Sequence, residues 1–185
     1  MKIEIAIKKA CQELKKYKIS SALLDSELLL SKVIKKDRKF ILLNSDRKLN
    51  QTDQDNFKNL ILERSKGKPV AYLTGLKSFW NYSFKVNEKV LIPRPDTEII
   101  VEQVLKIYKN KDNLNFLEIG VGSGCISLSI LKEKKSFLAT GVDLSQDCIK
   151  ICRYNANKLG VNNRIKLMKS DVDNLIFRKY DLIIS

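Results

Sequence analysis

The stretch "LEIGVGSGC" gathers the residues whose types and spacing suit chemistry. Gly120, Gly122 and Gly124 stand at alternate positions, with Val121 and Ser123 between them and Glu118 two residues ahead. The apolar "NFLEI" reads as a strand and "CISLSILKEKK" as a helix. At a strand-to-helix turn, glycine lets the backbone approach a ligand closely, and the helix start presents unbonded N–H groups. A tight turn without a ligand would account for one or two of these glycines. Two further acids fall at strand ends. Asp143 closes "FLATGVD", nineteen residues after Gly124, where a carboxylate can accept two hydrogen bonds from a ribose diol. Asp171 closes "RIKLMKSD", where it can accept from an exocyclic amine. Each acid also has a structural reading, Asp143 as the cap of a helix opening at Leu144-Ser145 and Asp171 as a strand-end turn. Three strand ends converging on one crevice favour a nucleotide-like ligand.

Spacing and charge narrow the ligand. NAD sites usually read G-x-G-x-x-G, whereas this loop reads G-x-G-x-G. No Lys-Ser/Thr pair follows the glycines, so the loop is not a P-loop. A carboxylate at the crevice floor, Glu118, would repel a pyrophosphate and suit a ligand with positive charge. S-adenosylmethionine carries an ammonium and a sulfonium and no phosphate, so charge favours it.

The elements around the loop alternate from residue 115 as β-α-β-α-β-β. The second helix is "SQDCIKICRYNANKLG", with Gly160 as its C-cap, and the last strand is "YDLIIS". Such alternation implies a parallel sheet with right-handed crossovers, a Rossmann-like α/β domain over residues 94–185. Ahead of it, "PRPDTEIIVEQVLKIYKN" reads as a helix with prolines and acids in its first turn. Residues 76–93, aromatic and β-branched, read as a β-hairpin linker with "NEK" as its turn.

Residues 1–75 read as a small helical bundle. Ile3, Ile7, Ala10, Leu14 and Tyr17 step by three and four along one face. Ala22, Leu24, Leu28, Leu29 and Val33 give a second helix a broad apolar face, with Ser20 or Ser21 as its cap. Phe57, Leu60 and Ile61 form the stripe of a third, capped by Thr52 or Asp53 and ended by Gly67 and Pro69. The bundle holds no catalytic constellation, so it is expected to pack or to recognise a partner.

Composition sets the class. The 185 residues are 44% hydrophobic and 30% charged, as in ordinary globular proteins. No apolar run approaches the ~18 residues of a membrane span, and the amino terminus lacks the apolar core of a signal peptide. Four cysteines form no CxxC pair and histidine is absent, so no zinc set is in view. Buried thiols in a reducing cytoplasm are expected. The net charge of +14 fits either an anionic partner or a lysine-rich composition.

The sequence closely resembles the bacterial protein-(glutamine-N5) methyltransferases that modify class I peptide chain release factors. The matching stretches are "DSELLL", "GKPVAYLTG", "LIPRPDTE", "LEIGVGSGCISL", "GVDLS" with the later "NA", and "SD" after the third strand. The resemblance implies a class I methyltransferase domain that takes S-adenosyl-L-methionine, and a cytoplasmic enzyme whose partners are release factors, with no metal and no direct nucleic-acid contact. It places Gly120, Val121, Gly122, Ser123 and Gly124 around the methionine part, with Glu118 below. It places Asp143 on the ribose, and Asp171 with Val172 beside the adenine. Family members often carry an aromatic residue where Val172 stands, and valine offers no such stacking surface. Arg94 and Pro95 would lie near the methyl-transfer pocket.

In that family an Asn-Pro-Pro-Tyr motif follows a strand like "DLIIS", and it orients the glutamine amide. The motif does not occur in these 185 residues. A C-terminally truncated, incomplete domain with little or no turnover is therefore expected, its "LIIS" strand an uncovered sheet edge. The alternatives are a non-catalytic cofactor- or release-factor-binding remnant and a nucleic-acid amine methyltransferase. An NAD-linked enzyme is disfavoured by the glycine spacing.

Overall fold

A computed structural model describes residues 1–171 and 179–185, which divide into two compact units, Met1–Thr74 and Gly75–Ser185. The first unit is helical: α1 (Ile3–Lys16), α2 (Ala22–Ile34), α3 (Arg38–Leu43), α4 (Gln51–Ser65) and α5 (Val70–Thr74). Along α1, Ile3, Ala6, Ile7, Ala10 and Leu14 are buried, as a 3.6-residue period requires. Tyr17 falls outside this stripe: it is the C-cap residue and exposed.

The face that α2 buries differs from the one its apolar pattern suggests. Leu24 is exposed, whereas Asp25, Ser26 and Glu27 are buried with Ala22, Leu29 and Leu30. The reason is ionic. The Asp25 carboxylate accepts from Arg64 Nε of α4 at 2.8 Å and from the Ser21 hydroxyl at 2.9 Å. Glu27 accepts from Arg38 Nε of α3 at 2.6 Å. Ser21 stands at the N-cap of α2, but its side chain bonds no backbone N–H there. The cap of α4 is Asn50, whose side chain accepts from Asp53 N at 2.7 Å, so this helix begins ahead of Thr52. "DSELLL" and the end of α4 are thus tied by charge inside the bundle, and its apolar core closes around Leu29, Leu30, Phe57 and Ile61.

The second unit opens with the hairpin β1 (Leu76–Phe79) and β2 (Tyr82–Lys85), paired antiparallel. Its turn is Trp80-Asn81, not "NEK". Trp80 takes φ 54°, the left-handed conformation a two-residue hairpin turn demands. Two carboxylates hold it there: Trp80 N donates to Glu98 Oε1 at 2.7 Å, and the indole N–H donates to Glu133 Oε1 at 2.9 Å. Asn87 to Lys89 make a separate turn, with Asn87 Oδ1 accepting from Lys89 N. The hairpin buries Phe79 and Phe84 in the core of the second unit, so it is an integral piece of that unit.

A 3-10 turn at Pro95–Thr97 leads into α6 (Glu98–Ile107), which buries Val101 and Val104 and leaves Ile99 and Ile107 exposed. There follow β3 (Asn115–Ile119), α7 (Cys125–Glu133), β4 (Leu138–Asp143), α8 (Gln146–Leu159), β5 (Ile165–Lys169) and β6 (Leu182–Ile184). The strands form one parallel sheet in the order β5-β4-β3-β6. Central β3 buries Phe116, Leu117 and Glu118, the continuous burial expected of a strand covered on both faces. Gly160 caps α8 at φ 69°. Among the described strands β6 pairs with β3 alone, burying Ile184 and exposing Ile183. Arg164 fixes the far end of α7, donating to Leu131 O at 2.7 Å and Lys134 O at 2.9 Å.

The order of the strands places the site. From β3 the chain steps outward through β4 to β5, then β6 returns to the opposite side of β3. Strand order reverses beside β3, and a crevice opens above the carboxyl ends of strands at such a switch point.

Candidate functional site

The loop leaving β3 folds back on β4. Gly120 N and Val121 N both donate to Val142 O at 2.9 Å. Gly120, Gly122 and Gly124 all have positive φ, and they divide by what surrounds them. A Cβ built on Gly120 would meet nothing within 4 Å, and one on Gly122 only the loop's own Gly120 O at 3.8 Å. A Cβ on Gly124 would stand 2.5 Å from Cys152 Sγ and 2.8 Å from Leu128 Cδ1. Gly120 and Gly122 therefore border open space, whereas Gly124 lets the start of α7 pack against α8. Gly141 of β4 serves packing as well, since a Cβ there would lie 2.9 Å from Val121 Cγ2.

Asp143 ends β4 beside the loop. Its Oδ2 accepts from Gly122 N at 2.9 Å and its Oδ1 from Ser145 N at 2.8 Å. One carboxylate thus joins the glycine loop to the start of α8, where the Ser145 hydroxyl accepts from Cys148 N. The N-cap of α8 is Ser145 and not Asp143, which stands two residues ahead and borders the crevice mouth. A hollow of about 200 Å³ lies there, bordered by Gly120, Val142, Asp143, Leu144, Ser170 and Asp171. Ser170 N donates to Asp143 O at 3.1 Å, which draws the carboxyl end of β5 to the same place. Asp171 is exposed at the rim. A larger hollow of about 470 Å³ lies in the helical unit, lined by Ile3, Ile7, Leu23 and Ile41 among others. It lacks the strand-end carboxylates, so it is not where this chemistry converges.

Glu118 occupies a different place from the crevice floor its sequence position suggests. It is 3% exposed and does not border the hollow. Its Oε2 accepts from Ser127 N at 3.0 Å and from the Ser127 hydroxyl. Burial pushes its carboxyl up to about 7, against the two Ser127 bonds that favour the ion, and the nearby Asp143 charge adds to the rise. Glu118 therefore anchors the first turn of α7 under the loop. No pattern in "LEIGVGSGC" reveals Ser127 as its partner, because the pairing depends on the helix folding back over the strand.

The other expected residues are distributed as follows. Val121 and Ser123 are buried within the loop. Arg94 and Pro95 are exposed at the 3-10 turn, where Thr97 N donates to Arg94 O, and they do not border the hollow. Val172 lies outside the described residues. Three thiols are not poised as nucleophiles: burial pushes Cys125 up to about 12, raises Cys152 well above the usual thiol range and raises Cys148.

Glycine faces left open beside two carboxylates make a site for a ligand with hydroxyl and amine donors. Among the described residues Asp143 and Asp171 border the hollow, and no lysine or arginine does. A phosphate would be repelled there, whereas a nucleoside bearing cationic groups would be held. The steric and electrostatic features both fit S-adenosylmethionine.

Residues 6–75 match the PrmC N-terminal domain and residues 96–185 the methyltransferase small domain. A release factor glutamine methyltransferase from Leptospira interrogans is 42% identical over 90% of this chain and 59% of its own length. One from Buchnera aphidicola subsp. Baizongia pistaciae is 38% identical over 100% of this chain and 66% of its own. The chain thus spans about three fifths to two thirds of these relatives. A solved RNA methyltransferase from Salinibacter ruber in complex with S-adenosyl-L-homocysteine covers 50% of this chain and 58% of its own, at 18% identity and a TM-score of 0.43. That degree of likeness carries nothing about its ligand to this chain.

Proposed function

Because this chain belongs to the release factor glutamine methyltransferase family, we propose that its second unit binds S-adenosylmethionine at the Gly120–Gly124 loop in the service of methyl transfer to the glutamine side-chain amide of the GGQ motif in class I release factors. The observation that carries the reading is the Asp143 carboxylate, held between Gly122 N and Ser145 N beside the open faces of Gly120 and Gly122. Asp143 meets the ribose hydroxyls, the Gly120–Gly124 backbone borders the methionine part, and Asp171 lies toward the adenine. Glu118 acts one step removed, by fixing the first turn of α7 through Ser127. The bound cofactor supplies an electrophilic methyl on a sulfonium. The helical unit serves recognition of the release factor, in the cytoplasm. Among the described residues no helix is long and apolar enough to cross a membrane.

A glutamine amide nitrogen is a poor nucleophile, because its lone pair is delocalised into the carbonyl. It needs acceptors that orient both of its hydrogens, and such positioning supplies several kcal/mol of barrier reduction. The Asn-Pro-Pro-Tyr sequence that would supply them does not occur in these 185 residues.

Calorimetric titration of the 185-residue chain with S-adenosylmethionine, S-adenosylhomocysteine and NAD tests the cofactor reading. Saturable binding of the first two, weakened in Asp143→Ala, is expected. Binding of NAD alone, or of none of the three, would sink it. A tritiated-methyl assay on a purified release factor tests the substrate reading, and labelling confined to residues outside the GGQ motif would contradict it.

A further inference from the structure

Asn155 of α8 is 1% exposed, and its side-chain amide is fully occupied by backbone. Its Oδ1 accepts from Lys85 N at 2.8 Å, and its Nδ2 donates to Lys85 O at 3.1 Å and to Ser123 O at 2.9 Å. One side chain therefore takes both backbone groups of the last residue of the hairpin and one carbonyl of the glycine loop. Only a primary amide of this length offers one acceptor and two donors in that arrangement. The Gly122–Ser123 segment is gripped from both sides, by Asp143 at Gly122 N and by Asn155 at Ser123 O. On the same helix Cys152 closes on the Gly124 Cα, and the Cys148 thiol donates to Lys89 O at 3.4 Å. One face of α8 thus meets the loop along one side and residues 85–89 along the other. Those residues lead on to Arg94 and Pro95.

We infer that Asn155 is a positioning residue that couples the glycine loop to the hairpin, so that occupancy of the loop is transmitted to residues 85–95. The inference deepens the cofactor reading above and rests on it for its ligand. The physical basis is a shared donor set. The two Nδ2 hydrogens lie in one plane, so movement of Ser123 O on ligand entry tilts the amide and changes its hold on Lys85. The hairpin cannot absorb the change at its tip, because Trp80 N is fixed to Glu98 and the indole to Glu133. The segment after Lys85 takes up the displacement.

Hydrogen exchange on the ligand-free full chain tests the coupling without any cofactor. In Asn155→Leu, exchange of peptides covering 82–88 and 120–125 is expected to rise together, by about tenfold or more, as three backbone partners lose their bonds. Asn155→Asp keeps the shape and the acceptor for Lys85 N but loses both donors, and is expected to show the same paired rise. Val161→Ala, a core truncation just beyond the Gly160 cap of α8, supplies a matched loss of melting temperature without the paired rise. A rise in only one peptide, or the same pattern in Val161→Ala, would overturn the coupling. Calorimetry with S-adenosylhomocysteine is the second readout. Affinity is expected to fall about tenfold in either Asn155 variant, and to stay within about threefold of wild type in Val161→Ala. Wild-type affinity in the Asn155 variants would refute the positioning role while leaving the cofactor reading intact. Absence of binding by the wild type would remove the cofactor reading, and exchange would still decide the coupling.

Discussion

Replacing Glu118 by Gln should change how the stability of the second unit depends on pH. The wild-type carboxyl is buried and pushed from its ordinary 4.5 up to about 7, whereas in the unfolded chain it titrates at its ordinary value. Between about pH 4.5 and 7 the folded state therefore binds a proton that the unfolded state has released. Stability contributed by that proton is fully present below about 4.5 and is lost as pH rises through about 7. Taken from pH 5 to pH 8, the loss is on the order of 2–3 kcal/mol at about 1.4 kcal/mol per pH unit. Glutamine keeps an oxygen for Ser127 N and the Ser127 hydroxyl but does not titrate. The variant should therefore be nearly flat over this range, apart from changes both proteins share. The chain has one tryptophan, Trp80, in the second unit, so its fluorescence in urea titrations reports that unit. Stability differences at pH 5, 6, 7 and 8 give the comparison directly. Parallel profiles for wild type and Glu118→Gln, or a wild type that gains on the variant as pH rises, would refute the assignment of a proton-holding carboxyl under the loop.

The division among the glycines predicts that one methyl group acts mainly on stability at Gly124 and mainly on binding at Gly120. Gly124→Ala, with its Cβ forced against Cys152 and Leu128 at φ 81°, should destabilise by about 2–4 kcal/mol and lower the thermal midpoint sharply. Gly120→Ala, in open space at φ 74°, should cost only about 1–2 kcal/mol yet weaken S-adenosylhomocysteine binding in calorimetry. Asp143→Asn sets an amide N–H₂ against either Gly122 N or Ser145 N, and should reduce cofactor affinity by about tenfold in the same titration. In the helical unit, Arg64→Ala strands the buried Asp25 carboxylate and should cost about 3 kcal/mol, read as loss of helical ellipticity at lower urea. Arg64→Ala paired with Asp25→Ala should recover part of that loss.

The sequence alone determined what period and punctuation encode. The α1 stripe from Ile3 to Leu14, the strand-helix alternation from Asn115, the Gly160 cap and the glycine loop all follow from local spacing, and each stands where its residues imply. The convergence of Gly120, Asp143 and Asp171 was legible too, because strands of one parallel sheet end at one edge. The tertiary structure decided whatever depends on partners distant in the chain. The hairpin turns at Trp80-Asn81 because Glu98 and Glu133 come together to hold a tryptophan in a conformation its type disfavours. The α2 helix buries Asp25 and Glu27 because arginines from α4 and α3 reach them, which no hydrophobic pattern along α2 can signal. Glu118 turns into the protein instead of the crevice because Ser127, nine residues on, is brought back over the strand. Asn155, noted in the sequence only as part of the matching "NA" pair, becomes the joint between loop and hairpin because a side-chain amide bonds whatever backbone folding delivers to it. Apolar burial has a period and can be read from one chain segment. A buried polar group is satisfied by a specific partner, and only the folded chain selects which one.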